Sequence, residues 1–232
     1  MKTIAVLLTV FNRKEKTIQC LKRLYNILPL EGYLVDVYLT DDGCTDGTPE
    51  AVAEQFPQVN IIHAKGDLFW NRGMWTAWDT AAKTKKYNFY LWLNDDTFVY
   101  DNMLEVLIEA ALETKERAII VGATESTDHS NITYGGRLKD GKIPSPNGRL
   151  VKVKYFNGNI VLIPQAVYNV LGNLDPYFTH SKGDFDYGLR AKKLGIDIYQ
   201  AGEVLGECDA HPTLDKWCNP DVPLAQRWKM LN

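Results

Sequence analysis

No stretch of the 232-residue sequence approaches the roughly twenty consecutive apolar residues that a membrane-spanning helix needs. Lysines and arginines never gather beyond a few residues, and the formal charge is −3, so the basic footprint of a nucleic-acid-binding surface is missing. Cysteine is scarce. Cys20, Cys44, Cys208 and Cys218 are scattered without a paired CxxC, which argues against a zinc site and for free thiols in a reducing compartment. A GxGxxG does not follow the first apolar run, and a GxxxxGK[ST] occurs nowhere. That excludes the usual dinucleotide-dependent oxidoreductases and P-loop NTPases. Internal repeats and low-complexity tracts are also lacking.

What is present suits one large α/β domain over residues 1–232, with ample material for a core. The N-terminal run Ile4 to Val10 passes into Phe11-Asn-Arg-Lys-Glu-Lys16 without a small-residue cleavage site, so it reads as a first strand and not as a signal peptide. Strand-like and helix-like segments then alternate. Ile18, Leu21, Tyr25 and Leu28 recur at helical spacing; Val35 to Thr40 is a strand and Pro49 to Phe56 a helix. Asn60 to Ala64, Asn88 to Leu93 and Ala118 to Ala123 are further strands, separated by helices over Arg72 to Thr84 and around Leu104 to Leu112. Such alternation predicts right-handed βαβ units and a mainly parallel sheet flanked by helices. After about residue 123 the chain turns polar and rich in turn signals up to Lys154, expected as strand and loop material over the mouth of the sheet. Tyr155 to Ile163 is strand-like with an Asn157-Gly158-Asn159 interruption, Gln165 to Leu171 and Asp184 to Leu194 are helical, and a last segment carries Trp217 and Trp228.

Polar groups collect where strands end. Leu91-Trp-Leu-Asn-Asp-Asp-Thr97 delivers Asn94, Asp95 and Asp96 at the C-terminal end of a buried strand, where open α/β sheets bind ligands. Adjacent carboxylates of this kind suit Mg²⁺ or Mn²⁺ bound together with a substrate phosphate, although acidic residues also start helices. Asp41-Asp42-Gly43 ends the second strand and Thr9 to Arg13 the first, giving three polar strand ends on one side. In Gly66 to Met74, Phe69 and Trp70 either pack a flat ring or belong to the core, and Arg72 either forks onto a phosphate or pairs with a carboxylate. Asp184 and Asp186 should point to different faces of their helix, one to the cleft and the other to a cap or a cation such as Arg190. His211 is a candidate metal ligand beside the ordinary structural reading.

With these blocks in view, the chain resembles the family 2 glycosyltransferases of GT-A fold, and among them the rhamnosyltransferase-like members. The resemblance rests on the order of Thr9-Val-Phe-Asn-Arg13, Thr40 to Thr48, Trp70-Asn-Arg-Gly-Met74, Leu93-Asn-Asp-Asp-Thr97, Asn157-Gly-Asn159, Gly172 to Phe178 and Gly183 to Arg190. It implies a Rossmann-like nucleotide-sugar-binding half, about residues 1–123, and an acceptor-binding half, about 124–232. The implied reaction is inverting transfer of a sugar from a UDP- or dTDP-sugar to a hydroxyl of a glycan or lipid-linked glycan, in cell-surface polysaccharide synthesis. Thr9, Phe11, Arg13, Asp41, Asp42, Arg72 and Asp95 are then nucleotide-sugar contacts. Asp96 is the metal ligand in the DXD position, and Asp184 the catalytic base, ionised at an ordinary pKa of about 3.9. The expected location is the cytoplasm or the inner face of the membrane, held peripherally. Two positions depart from the family pattern: Asn94 begins the DXD-like triplet, and Gly183 stands where Glu is usual. The alternatives are a sugar-nucleotidyltransferase, disfavoured by the lack of glycine in Val10 to Lys14, and a non-catalytic nucleotide- or carbohydrate-binding module, to which Gly183 points.

Overall fold

The computed structural model describes residues 1–179, 181–210, 222–224 and 226. His211, Trp217 and Trp228 therefore lie outside the described residues. The first half runs β1 (Lys2–Val10), α1 (Lys14–Asn26), β2 (Tyr33–Asp41), α2 (Thr48–Gln55), β3 (Asn60–His63), α3 (Phe69–Thr84) and β4 (Phe89–Leu93). A short β5 (Phe98–Val99), α4 (Met103–Glu113) and β6 (Ile119–Glu125) follow. The second half holds β7 (Ile132–Tyr134), β8 (Gly136–Arg137), β9 (Val151–Lys152), β10 (Tyr155–Phe156), β11 (Ile160–Pro164), α5 (Gln165–Leu171), α6 (Gly183–Lys193) and β12 (Ile198–Glu207).

A ten-stranded sheet carries the order β3-β2-β1-β4-β11-β6-β12-β5. β1 pairs parallel with β2 and β4, β2 with β3, and β6 with β12. The mainly parallel sheet flanked by helices is therefore as expected. Within the sheet, β11 is antiparallel to both β4 and β6, and the short β5, β7 and β9 are antiparallel to their neighbours β12, β6 and β12.

Because successive side chains of a strand point to opposite faces, β4 and the apolar Ile4 to Leu8 stretch of β1 feed two cores. Ile4, Val6, Leu8 and Val10 of β1, with Phe89, Leu91 and Leu93 of β4, meet α1, α2 and α4 on one face. Ala5, Leu7, Tyr90 and Trp92 meet α3, α5 and α6 on the other. The second core is centred on Trp78, fully buried, whose ring lies 5.1–5.6 Å from those of Trp92, Tyr90, Tyr168 and Tyr187. Burial of such large rings dominates core energetics.

Two expectations about elements are corrected. Helix α3 begins at Phe69, not Arg72, because the Leu68 and Phe69 N–H groups, which have no partner within the helix, donate to Asp42 at 3.1 and 2.8 Å. The Tyr155 to Ile163 run divides at its Asn-Gly-Asn interruption into β10, which pairs β8 in a separate two-stranded sheet, and β11 in the main sheet. Among the described residues, no helix is long and apolar enough to cross a membrane.

Candidate active site

The parallel register puts Val10 beside Asp41, so β1 and β2 end together, and β4 ends on the same side. The chain leaving these strands lines a cleft of about 750 Å³. Of the residues singled out in the sequence, Thr9, Phe11, Arg13, Asp42, Asp95, Asp96 and Asp184 all face it. Asp41 and Arg72 are not in its lining. Asp41 points to β3, where its Oδ2 lies 2.9 Å from His63 Nδ1 and its Oδ1 accepts the Cys44 N–H at 2.8 Å. Arg72 Nε donates to the Pro176 carbonyl at 2.9 Å and so ties α3 to the loop before α6.

Asp95 and Asp96 are joined by Arg13. Its Nη1 lies 2.8 Å from Asp96 Oδ2 and 3.3 Å from Asp95 Oδ1, while Thr17 Oγ1 donates to Asp95 Oδ2 at 3.3 Å. Burial pushes the Asp95 carboxyl up to about 7; the Arg13 charge opposes that shift and the Asp96 charge adds to it. Cys208 Sγ lies 3.8 Å from the remaining Asp96 oxygen. Burial pushes the Cys208 thiol up to about 12, so it contributes a weak donor and not a thiolate. Among the described residues no three His, Cys, Asp or Glu side chains gather into a metal cage. Two hard carboxylate oxygens beside room for a diphosphate nevertheless fit Mg²⁺ or Mn²⁺, which commonly take one or two carboxylates and complete their shell with substrate phosphate and water.

The first position of the strand-end triplet, Asn94, is held by hydrogen bonds within the cleft wall. Asn94 Oδ1 accepts the Trp70 indole N–H at 2.8 Å, and its backbone N–H donates to the Asn159 carbonyl at 3.1 Å. Trp70 in turn lies so close to Gly158 that a Cβ there would stand 2.6 Å from the indole ring. The Gly158 N–H donates to Asp184 Oδ2 at 3.1 Å, and the Phe185 N–H to Asp184 Oδ1 at 2.8 Å. Asp184 is thus fixed on the cleft wall independently of the Arg13 group. Its pKa is corrected from the ordinary value: burial pushes it up to about 6, with the Phe185 and Gly158 N–H groups opposing. Asp186 faces elsewhere and pairs with Arg190 Nε at 2.7 Å, as its helical spacing predicts.

Gly183 has a packing reason that the sequence does not reveal. A Cβ at this position would lie 1.8 Å from Asn71 Oδ1. Asn71 is fully buried, and its Nδ2 donates to the Asp175 and Phe178 carbonyls at 2.8 and 2.7 Å. The space that a side chain would need at 183 is therefore filled from α3. Asn71, Gly158 and His63 were not legible as site residues, because each acts through a partner distant in sequence.

A fold of this order, with carboxylates gathered at the C-terminal ends of its parallel strands, defines the GT-A architecture. The family model of Glycosyl transferase family 2 matches residues 5–171, and the chain belongs to that family. Among solved structures it is similar to TarS 1-349 of S. aureus, with a TM-score of 0.63 and 15% identity over 90% of this chain and 60% of that one. It is equally similar to the mannosyltransferase PcManGT of Pyrobaculum calidifontis, solved with GDP-Man and Mn²⁺: TM-score 0.63, 17% identity, 90% of this chain and 57% of that one. The chain thus spans less than two thirds of either neighbour, and at these identities the likeness is one of fold. None of the curated proteins compared matches it.

Proposed function

We propose that the protein is an inverting glycosyltransferase that moves a sugar from a nucleoside-diphosphate-sugar, a UDP- or dTDP-sugar by first choice, to a hydroxyl of a glycan or lipid-linked glycan. The observation that carries this reading is that one cleft presents two separately held acidic groups, Asp95 and Asp96 with Arg13, and Asp184 on the Gly158 backbone. The reaction needs both. As the acceptor oxygen bonds to the anomeric carbon, the bond to the diphosphate oxygen breaks and its electron pair leaves with the diphosphate. The hydroxyl proton passes to a base on the acceptor side, the role assigned to Asp184. Mg²⁺ or Mn²⁺ at Asp96 would supply the positive charge that stabilises the departing diphosphate.

Thr9, Phe11 and Asp42 form the base and ribose side. The Asp42 oxygens each hold one N–H of α3's first turn and keep a further lone pair for a base N–H. Arg72 and Asp41 support this side from behind. Gly183 loses its force as a sign of inactivity, since Asn71 accounts for it by packing.

The test is release of nucleoside diphosphate from a panel of UDP-, dTDP- and GDP-sugars with Mn²⁺; guanosine is included because PcManGT was solved with GDP-Man. At least one donor should be turned over by the wild type, and Asp96→Ala should abolish that turnover. Normal turnover by Asp96→Ala would remove the metal assignment, and silence across the whole panel would favour a binding module.

A further inference from the structure

Arg13 is more than one lining residue among several. The Asp95 and Asp96 side chains are only 7% and 11% exposed, so each carboxylate depends on a nearby positive charge. Asp95 Oδ2 is taken by Thr17, which leaves Asp95 Oδ1 and Asp96 Oδ2 as the oxygens turned toward a common cation, and Arg13 Nη1 holds both. Those are the oxygens a divalent ion would use. The Arg13 backbone is anchored at the start of α1, where its carbonyl accepts the Thr17 N–H at 2.9 Å. The guanidinium end, by contrast, belongs to a side chain that is 40% exposed in the cleft lining. It can therefore turn away from the carboxylates by side-chain rotation alone.

The charges then set an order of events. When both carboxyls are ionised, they and the guanidinium together carry one net negative charge, and a divalent cation added alone would turn the site positive and press two cations together. A diphosphate arriving with the metal restores the balance and offers Arg13 an oxygen pair of its own, matched to its planar fork. We propose that Arg13 is a resident counter-ion that competes with the divalent metal for Asp95 and Asp96, so that metal binds tightly only together with a diphosphate that draws the guanidinium away. This rests on the donor-and-metal reading above and makes Arg13 the residue that couples the two ligands.

The experiment is a Mn²⁺ titration of the nucleotide-free protein, read by the electron paramagnetic resonance signal of free Mn²⁺. Thermal shifts with Mn²⁺ alone, inorganic diphosphate alone and both together accompany it. Wild type should respond weakly to either ligand alone and to the pair by more than the sum. Arg13→Gln should bind Mn²⁺ about tenfold more tightly without diphosphate, a modest figure for removing a like charge at this range, and should lose the synergy. Arg13→Lys, which keeps the charge, should stay near wild type in Mn²⁺ affinity. Asp96→Asn should bind no Mn²⁺ in this range. If Asp96→Asn abolishes binding but Arg13→Gln binds no more tightly than wild type, the competition is wrong while the metal reading stands. Binding that survives in Asp96→Asn overturns the metal reading itself. Should Arg13→Gln fail to fold, the wild type decides alone: Mn²⁺ affinity that is unchanged by diphosphate overturns the coupling.

Discussion

Burial raises the Asp184 carboxyl to about 6, above its ordinary value of 3.8. Between those values the folded protein holds a proton that the unfolded chain has lost, so this group lowers stability progressively as pH rises from about 4 to about 6 and by a constant amount above. A difference of this size corresponds to roughly 2–3 kcal/mol. Asp184→Asn cannot ionise, so its stability relative to wild type should improve by that order between pH 4 and pH 7.5 in urea unfolding; a flat difference would contradict the shift. On the proposed role of Asp184 as the base, the ionised form is the one that accepts the acceptor proton. Wild-type transfer should rise with pH through about 6 and then level, whereas Asp184→Asn should keep nucleoside-diphosphate affinity and lose about a hundredfold or more in transfer. Next door, Gly183→Ala drives a methyl into Asn71 and should cost about 1–3 kcal/mol. Asn71→Ala removes a fully buried side chain and its two hydrogen bonds to the Asp175 and Phe178 carbonyls and should cost a similar amount, about 1–3 kcal/mol. Because they contend for one space, the double variant should lose less than the two single losses added, by about 1 kcal/mol in a double-mutant cycle.

Helix α6 is held by more than its own ladder. Arg190 bonds Asp186, donates to the Leu171 and Asn173 carbonyls at 3.1 and 3.2 Å, and lies 5.0 Å over the Tyr187 ring. Arg190→Ala should therefore cost about 2–3 kcal/mol, while Asp186→Ala, which removes one half-exposed pair, should cost under about 1 kcal/mol. Equal losses in chemical denaturation would show that only the ion pair matters. At this scale the sequence was readable where an element's signal is local. β4 and the Ile4 to Leu8 stretch of β1 are unbroken apolar runs; of the Ile18, Leu21, Tyr25 and Leu28 spacing, Ile18 and Leu21 are buried on α1, Tyr25 is partly buried and Leu28 lies past the helix end at Asn26. β12 escaped notice, since its Gly202 and Gly206 and two register shifts against β6 break the alternation that marks a strand. The direction of β11 was equally hidden, because it depends on which neighbours the strand finds. The start of α3 is set by Asp42, some 26 residues earlier, and the partner of Arg72 lies 104 residues away. Strand-end carboxylates could be read from the sequence, but the backbone groups that aim them could not.

Across the whole molecule, nucleotide and metal should act on stability together. A nucleoside diphosphate at about 100 times its dissociation constant adds roughly 2.7 kcal/mol. For a chain of 232 residues that corresponds to a rise of about 5–10 °C in melting temperature. With Mn²⁺ present, uridine or thymidine diphosphate should reach that range and adenosine diphosphate should not; equal shifts would count against a selective base pocket. β11 adds a mechanical consequence. It is hydrogen-bonded to β4 along Ile160–Pro164 on one side and to β6 on the other, directly between the β1, β2 and β4 side of the sheet and the β6 and β12 side. Among the described residues the hydrogen-bonded ladder is continuous beneath the cleft, so the floor is expected to move as one plate. Closure around a ligand falls to the loops above that plate, so structures with and without nucleotide should superpose on the sheet and differ only along the rim.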